Sequence, residues 1–206
     1  MIRLLFQGDS ITDWGRNHDN PHDVGWGYAR HAFNALNEKY PDKIEYINLG
    51  IGGNRTEDLV NRLESDFIDI QPDVVSILIG INDVWAHSGG RDWMSDEEFE
   101  ANYRTILDAI KTKTKAKIML MEPFLIPVED KLFFREDLYR KIEVTRKLAR
   151  EYADVYLPLD GLLCAAYNNT DPITFAEDGV HPTEICAKVI GEHYAEYISP
   201  IIDSLL

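Results

Sequence analysis

Cysteine, basic residues and long hydrophobic runs are all scarce in this chain of 206 residues. Only two cysteines occur, Cys164 and Cys186, and in a chain of this length we interpret them as buried, reduced thiols. Lysine and arginine number 21 against 36 aspartates and glutamates, which gives a net charge of −15. Such a chain lacks the basic stripe that nucleic acids require and is repelled by anionic membranes, so neither is an expected partner.

The N-terminal apolar run is also short. Residues 1–6 carry one positive charge, no small-residue cleavage site follows them, and the run is too short to span a membrane. We therefore expect a cytoplasmic protein. No linker rich in Pro, Gly or Ser and no repeat divides the chain, so we expect one domain over residues 1–206. Hydrophobic residues make up 45% of the sequence, which provides for a buried core and excludes global disorder.

Short apolar segments alternate along the chain with longer segments of helical periodicity. Strands are predicted at 3–6, 44–48, 74–79, 117–121 and 155–157. Helices are predicted at 27–39, 56–70, 96–115, 136–151 and from 183 to about 204. Apolar strands that each precede a helix predict an α/β fold, with a parallel sheet between two helical layers. Ligands in such folds bind at the carboxyl ends of the strands, and segment 124–135, which has no clear period, is predicted to be a loop that could overhang that edge.

Two motifs carry a candidate nucleophile and a candidate base. The tripeptide Gly-Asp-Ser ends at Ser10, directly after the first predicted strand, where a hydroxyl group can point into open space. The same residues are also common helix N-caps. Asp178 and His181 precede the last predicted helix, and a carboxylate at this spacing can orient an imidazole for proton transfer. A lone histidine is more often a surface residue, so the motif alone leaves both interpretations open.

Two further motifs offer hydrogen-bond donors. The glycine-rich run 50–53 follows the second predicted strand, and its N–H groups could hold an oxyanion, cradle a phosphate, or simply form a tight turn. Asn82 follows the third strand and could add a side-chain amide donor, although asparagine also forms Asx turns. Each motif is weak alone. Their occurrence together, in this order and at successive strand ends, indicates a catalytic site.

The combined set of motifs resembles a known family. Gly-Asp-Ser, Gly53, Gly-x-Asn-Asp and Asp-x-x-His-Pro are similar to the motifs of the SGNH hydrolases, or GDSL esterases and lipases, over residues 8–182. Ile11 stands where the family name implies leucine. The longer strings Gly-Asp-Ser-Ile-Thr-Asp-Trp-Gly-Arg and Ile-Gly-Ile-Asn-Asp-Val-Trp resemble those of bacterial intracellular acetylxylan esterases. The resemblance implies a three-layer α/β/α sandwich of flavodoxin-like type, with a mostly parallel five-stranded sheet.

The resemblance also implies roles for the motif residues. Ser10 would be the nucleophile of a serine esterase, His181 its base, and Asp178 the group that orients the base. The oxyanion would be held by the N–H groups of Ser10 and Gly53 and by the amide of Asn82. The enzyme would remove acetyl groups from xylo-oligosaccharides or related carbohydrates through an acyl-serine intermediate, with no metal or organic cofactor. Its expected partner is therefore a small-molecule or oligosaccharide acetyl ester.

Residues beside these motifs are candidate substrate contacts. Asp13 and Arg55 could hold sugar hydroxyls, and Trp14 and Trp85 could each form a platform against a sugar face. The alternatives are solvated surface positions for the charged pair and core packing for the tryptophans. Glu122, at the end of the fourth strand, could face the pocket, but a capping or salt-bridge role is the favoured interpretation.

The alternatives to the esterase are a metal site and several other functions. His18 and His22 are four residues apart, but Pro21 between them favours a loop, so no metal is expected. A general short-chain carboxylesterase or acyl-thioesterase would use the same triad. A noncatalytic carbohydrate-binding protein and a flavodoxin-like cofactor binder are more remote alternatives. The apolar C-terminus, 198–206, could cover a subunit interface or simply end the last helix, and because similar esterases assemble we expect a homo-oligomer.

Overall fold

The computed structural model, which describes residues 1–84 and 93–206, contains a five-stranded sheet between two layers of helices. The strands are β1 (Ile2–Gly8), β2 (Ile44–Asn48), β3 (Val74–Leu78), β4 (Lys117–Met121) and β5 (Val155–Leu157). Their order is β2-β1-β3-β4-β5, and all neighbouring pairs are parallel. The predicted three-layer α/β/α fold is therefore confirmed.

Eight α-helices connect and cover these strands in the described part of the chain. They are α1 (Ser10–Asp13), α2 (Tyr28–Lys39), α3 (Thr56–Asn61), α4 (Ile81–Val84), α5 (Asp96–Lys113), α6 (Arg135–Tyr152), α7 (Leu159–Tyr167) and α8 (Glu184–Leu205). A π-helical turn covers Glu64–Ile68, and 3-10 turns cover Glu129–Phe134 and Pro172–Thr174. The predicted ends of α2, α5, α6 and α8 lie within two residues of those observed.

The sequence prediction was wrong in two helical regions. The predicted helix 56–70 is divided into α3 and the π-helical turn, because the backbone leaves helical geometry at Arg62. The apolar spacing continues through this break, so the period could not reveal it. The nine-residue α7 was missed because it follows β5 directly and is too short for a clear helical period.

The two faces of the sheet bury alternate side chains of the same strand. On β1, Leu4 and Phe6 pack with side chains of α2 and α8, whereas Leu5 belongs to the cluster on the opposite face, with α3 and α5. All three side chains are fully buried. Because β1 and β3 are inner strands, the loops that follow them meet at the middle of the carboxyl edge of the sheet.

The two cysteines differ in environment. Both are free thiols, and Cys186 on α8 is buried as predicted. Cys164 is exposed, so the prediction of two buried thiols is wrong for this residue. It lies on the face of α7 that is turned away from the core, and that helix had not been predicted.

Within residues 1–84 and 93–206, no helix is both long enough and apolar enough to cross a membrane.

Candidate active site

Ser10 is held at the carboxyl end of β1 by a strand-to-helix turn. Gly8 ends the strand, and a Cβ atom at this position would clash with the carbonyl oxygen of Leu78, so the turn requires glycine. Asp9 caps α1, because its carboxylate accepts a hydrogen bond of 3.0 Å from the N–H of Ile11. The capping role therefore belongs to Asp9, and the Ser10 hydroxyl is available for another contact.

Ser10, His181 and Asp178 form one hydrogen-bonded line. Ser10 Oγ lies 2.9 Å from His181 Nε2, and His181 Nδ1 lies 2.6 Å from Asp178 Oδ2. The other carboxylate oxygen of Asp178 accepts the backbone N–H groups of Val180 and His181, at 3.0 and 2.8 Å. With Nδ1 donating to Asp178, Nε2 is the ring atom that can accept the hydroxyl proton. The arrangement can thus move a proton from Ser10 to the ring.

The charge on Asp178 is stabilised by its hydrogen bonds. Partial burial acts to raise the pKa of this carboxyl, but hydrogen bonds from the His181 ring and from backbone N–H groups outweigh it and hold the pKa below its ordinary value. The group therefore stays ionised at neutral and mildly acidic pH. A fixed negative charge beside Nδ1 stabilises the imidazolium that forms when Nε2 takes up a proton.

Segment 124–135 packs against the turn that carries His181 and is hydrogen-bonded to it. The N–H of Ile126 donates to the carbonyl oxygen of Gly179 at 2.8 Å. Gly179 has a φ of 80°, and a Cβ atom there would lie 2.7 Å from the Val128 side chain, so this close approach requires glycine. The segment predicted to overhang the site thus packs against the Asp178–His181 turn, and part of it forms the 3-10 turn Glu129–Phe134.

Two backbone N–H groups are candidate oxyanion donors. The N–H of Ser10 is in the first turn of α1, where no intrahelical acceptor exists. Gly53 has a φ of 78° and open space where a Cβ atom would stand, and within the described residues its N–H has no protein acceptor. The neighbouring Gly52 N–H instead donates to Asp13 at 3.0 Å. This difference favours Gly53 over Gly52 as an oxyanion donor.

Asn82 lies beside these donors because the loop after β3 is tied to the loop after β2. Asn82 is 3% exposed, and its Nδ2 donates to the carbonyl oxygen of Asn54 at 3.1 Å. The next residue, Asp83, accepts hydrogen bonds from the Thr56 hydroxyl and backbone N–H, at 2.7 and 3.1 Å. An amide nitrogen carries two hydrogens, so an asparagine that donates to one acceptor has a second donor hydrogen on the same atom.

Two buried carboxyl groups lie beneath the site. Burial raises the pKa of Asp9 to about 7; the N–H of Ile11 opposes this shift, and the charge of Asp83 adds to it. Burial likewise raises the pKa of Asp83 to about 6, against the two hydrogen bonds from Thr56 and the charge of Arg55. Both groups therefore change protonation close to neutral pH.

Replacing Asp9 by asparagine is expected to make folding less sensitive to pH. Since the folded pKa of about 7 lies above the ordinary 3.8, the native state keeps a proton that the unfolded state has lost between about pH 4 and 7. Wild-type stability therefore falls as pH rises through this window. Asparagine retains the cap but does not titrate, so the variant gains on the order of 2 kcal/mol relative to wild type by pH 8.

Urea unfolding at pH 5 and pH 8 measures this difference for wild type, Asp9→Asn and the exposed control Asp19→Asn. A stability difference between wild type and Asp9→Asn that stays constant across the two pH values would contradict the expected linkage.

A cavity of about 460 Å³ opens beside Ser10. It is lined by Ser10, Asp13, Trp14, Gly15, Trp26 and His181. The Trp14 ring centroid lies 5.7 Å from that of His181. Trp14 has a φ of 30° and a ψ of 57°, a left-handed conformation that is uncommon for a bulky side chain and that ends α1. Asp13 and Trp14, two of the predicted substrate contacts, therefore border the cavity that contains the nucleophile candidate.

The two other predicted substrate contacts are placed differently. Arg55 is 3% exposed, acts electrostatically on Asp83, and is not among the cavity-lining residues. Its role toward sugar hydroxyls stays a prediction. Trp85 lies outside the described residues.

Trp26 and Gly15 line the cavity but were missed by sequence reasoning. Trp26 is 69% exposed, and its N–H donates to the carbonyl oxygen of Trp14 at 3.0 Å. The available signal was the tripeptide Gly25-Trp26-Gly27, where a tryptophan stands between two flexible residues just before α2.

Glu122 has the salt-bridge role that the sequence analysis favoured. Its side chain is fully buried and accepts hydrogen bonds from Arg146 Nε at 2.8 Å, from the Tyr156 hydroxyl at 2.6 Å and from the Asp160 N–H at 3.0 Å. These contacts join the end of β4 to β5, α6 and α7, so Glu122 stabilises the fold and is not part of the cavity wall.

The histidines weighed as metal ligands lie in turns, as the proline between them predicts. His18 Nε2 is 3.1 Å from the Asp13 carboxylate, and His22 Nδ1 is 3.0 Å from the Tyr46 carbonyl oxygen. Across residues 1–84 and 93–206, no three His, Cys, Asp or Glu side chains are grouped as a metal site requires.

Known proteins are similar to this chain in sequence and in fold. The model of the GDSL-like Lipase/Acylhydrolase family matches residues 6–187. An acetylxylan esterase from Geobacillus stearothermophilus is 34% identical over 192 residues, which cover 88% of this chain and 86% of that protein.

Solved structures of similar fold belong to proteins of the same kind. Axe2, an acetylxylan esterase from G. stearothermophilus, has a TM-score of 0.87 and 31% identity, with 95% of this chain and 93% of Axe2 covered. A GDSL-like lipase from Parabacteroides merdae has a TM-score of 0.87 and 30% identity, with 95% and 94% covered. Two further Axe2 structures are of catalytic mutants, one with a serine and one with a histidine replaced by alanine.

Proposed function

This chain belongs to the GDSL-like lipase/acylhydrolase family and is a carboxylic ester hydrolase, and from that premise we propose that Ser10, His181 and Asp178 are its catalytic triad. The observation that carries the proposal is the hydrogen-bonded line from Ser10 Oγ through the His181 ring to Asp178, at the wall of an open cavity. The serine and histidine that were replaced in the catalytic mutants of Axe2 support the same assignment.

The proposed reaction begins when Ser10 Oγ attacks the ester carbonyl carbon and its proton passes to His181 Nε2. The oxyanion accepts hydrogen bonds from the N–H groups of Ser10 and Gly53 and from Asn82 Nδ2. As the intermediate collapses, the Nε2 proton moves to the departing alcohol oxygen and an acyl-serine remains. A water molecule then gives a proton to His181 Nε2 and attacks the acyl carbon. As this second intermediate collapses, the bond between Ser10 Oγ and the acyl carbon breaks, the Nε2 proton moves to Ser10 Oγ, and the acid is released.

The proposed substrates are acetyl esters of xylo-oligosaccharides or related carbohydrates. The acetylxylan esterases among its relatives support this choice, as do the indole rings and the carboxylate of Asp13 in the cavity wall. Acetyl-CoA, the substrate of the alternative thioesterase reaction, is a polyanion, and a protein with a net charge of −15 repels it.

Acetate release from acetylated xylo-oligosaccharides, acetyl-CoA and an aryl acetate tests the proposed substrate class. We expect the highest kcat/KM on the oligosaccharides. Activity confined to the aryl acetate or to acetyl-CoA would retain the triad but replace the carbohydrate by a general ester or thioester. If no acetate is released from any of the three substrates, the proposed esterase activity on acetyl esters is contradicted.

Replacing Asn82 by alanine is expected to lower kcat about 10²–10³-fold with little change in KM, because the lost donor acts mainly on the charge that develops in the transition state. Steady-state kinetics on an aryl acetate measures both constants, and Asn34→Ala, at an exposed position of α2, is the matched control. An effect on KM alone, with kcat unchanged, would contradict the assignment of Asn82 to the oxyanion hole.

We further propose that residues 1–206 act as one hydrolase domain, resident in the cytoplasm and assembled as a homo-oligomer. The packing of α8 onto α2 supports the single domain, because it joins the C-terminal helix to the first long helix of the chain on one face of one sheet. The resemblance to intracellular esterases supports the other two statements. Sedimentation equilibrium tests the homo-oligomer, and cell fractionation tests the cytoplasmic location.

A further inference from the structure

We propose that Trp26 is a stacking platform for the carbohydrate part of the ester, at the mouth of the active-site cavity. This inference rests on the proposed function, because it concerns the substrate of the same site. Trp26 lines the cavity together with Ser10 and His181, yet 69% of its surface is open to solvent. An exposed indole beside a nucleophile provides a flat apolar surface, and the C–H face of a pyranose ring fits such a surface.

The backbone around Trp26 is shaped to hold the ring in this place. Gly25 has a φ of 71°, and a Cβ atom there would lie 2.7 Å from the Asp13 carbonyl oxygen. At Gly27, a Cβ atom would lie 2.8 Å from Cβ of Trp14. Because both neighbours must be glycine, segment 25–27 can approach the Asp13–Trp14 turn closely, and the Trp26 N–H donates to the Trp14 carbonyl oxygen at 3.0 Å. The position of Trp26 is thus fixed relative to the triad.

Arg30 supports the Trp26 ring from α2. Its guanidinium carbon lies 5.6 Å from the Trp26 ring centroid, and its Nε donates to the Gly25 carbonyl oxygen at 3.0 Å. Arg30 also lies 5.7 Å from the Phe33 ring centroid, so the cation contacts two aromatic rings. An indole that is already held in this way loses little freedom when a ligand binds, which favours a binding role.

The carboxylate of Asp13 in the cavity wall indicates that a sugar, rather than a long acyl chain, occupies the space beside Trp26. Asp13 is in the same wall as Trp26, and its carboxylate can accept hydrogen bonds from sugar hydroxyls. A hydrocarbon chain in this place would desolvate the carboxylate and offer it no donor. The negative charge of Asp13 and of the whole chain further favours a neutral glycan over an acidic one.

The test compares two acetyl esters that differ only in the part that leaves. Acetylated xylotriose offers sugar rings to Trp26, whereas vinyl acetate is an activated ester without a ring. For Trp26→Ala, we expect the ratio of kcat/KM for xylotriose to kcat/KM for vinyl acetate to fall about tenfold, with the change mainly in KM. Trp26→Tyr keeps an aromatic face and should restore most of the ratio. Trp93→Ala is the matched control, because Trp93 is 51% exposed but bonded to Asp137 and absent from the cavity lining.

Binding provides a second readout that does not depend on turnover. Isothermal titration of acetylated xylotriose into Ser10→Ala, with and without Trp26→Ala, should show about tenfold weaker binding when the indole is absent. Equal losses on both esters, an unchanged ratio, or a change in oligomeric mass in Trp26→Ala would overturn the proposal. Wild-type activity on vinyl acetate without binding of xylotriose would overturn the sugar platform and leave the triad intact. If the wild-type protein hydrolyses neither ester but still binds xylotriose through Trp26, the proposed esterase function is wrong and the sugar platform stands.

Discussion

Ser10→Ala is expected to lower kcat for acetyl ester hydrolysis by about 10⁴–10⁶-fold, the scale of losses when the nucleophile of a serine triad is removed. The variant lacks the hydroxyl oxygen that lies 2.9 Å from His181 Nε2 and would attack the ester to form an acyl-serine. The fold should be unaffected, because the cap of α1 is made by the Asp9 carboxylate and not by the Ser10 hydroxyl. The remaining activity would come from binding and from the oxyanion donors.

Initial rates on an aryl acetate, with unfolding curves of the same preparations, measure this effect. Ser65→Ala, at an exposed position before β3, is the control and should behave as wild type. Brief incubation of wild type with the ester, followed by mass spectrometry of peptides, should place the acetyl group on Ser10. Turnover in a clean Ser10→Ala preparation, or an acetyl group on another residue, would overturn the assignment of the nucleophile.

The second large effect is expected at His181, with a smaller one at Asp178. His181→Ala removes the group that carries the proton in both halves of the reaction, so we expect a loss in kcat close to that of Ser10→Ala. Asp178→Asn keeps an oxygen that can accept the N–H groups of Val180 and His181, but it removes the charge that faces Nδ1. Its loss should be roughly tenfold to a hundredfold smaller than that of His181→Ala.

Kinetics of both variants and of the double variant Ser10→Ala/His181→Ala separate these roles. The double variant should be no less active than Ser10→Ala, because the two residues act as one unit. Glu177→Gln removes a neighbouring exposed carboxylate and provides the control for charge alone. Equal losses in His181→Ala and Asp178→Asn, or additive losses in the double variant, would contradict this division of labour.

The location of the candidate triad was predictable because the relevant signals are local. Ser10 and Asn82 each follow a buried strand within a few residues, and Asp178 is three residues from His181. In a parallel sheet the carboxyl ends of all strands lie on one edge. Motifs that are far apart in sequence therefore meet without any detailed knowledge of the packing.

Other features depended on contacts between distant segments. Trp26 reaches the cavity only because segment 25–27 packs against the turn after β1. Arg55 is beside a motif in sequence but is buried near Asp83, while Glu122 is held by groups from α6 and β5. The salt-bridge role of Glu122 was the favoured interpretation, but no local pattern distinguished the buried Arg55 from a residue that faces a ligand.

The sequence by itself determined the five strands, most of the helices between them, the parallel sheet and the motifs at its carboxyl edge, because apolar periodicity and turn chemistry act over a few residues. Only the tertiary structure decided which side chains enter the cavity, which carboxyl groups are buried, and where helical geometry breaks between α3 and the π-helical turn. These properties depend on packing between elements remote in sequence, where a difference of one ångström or one rotamer changes a contact.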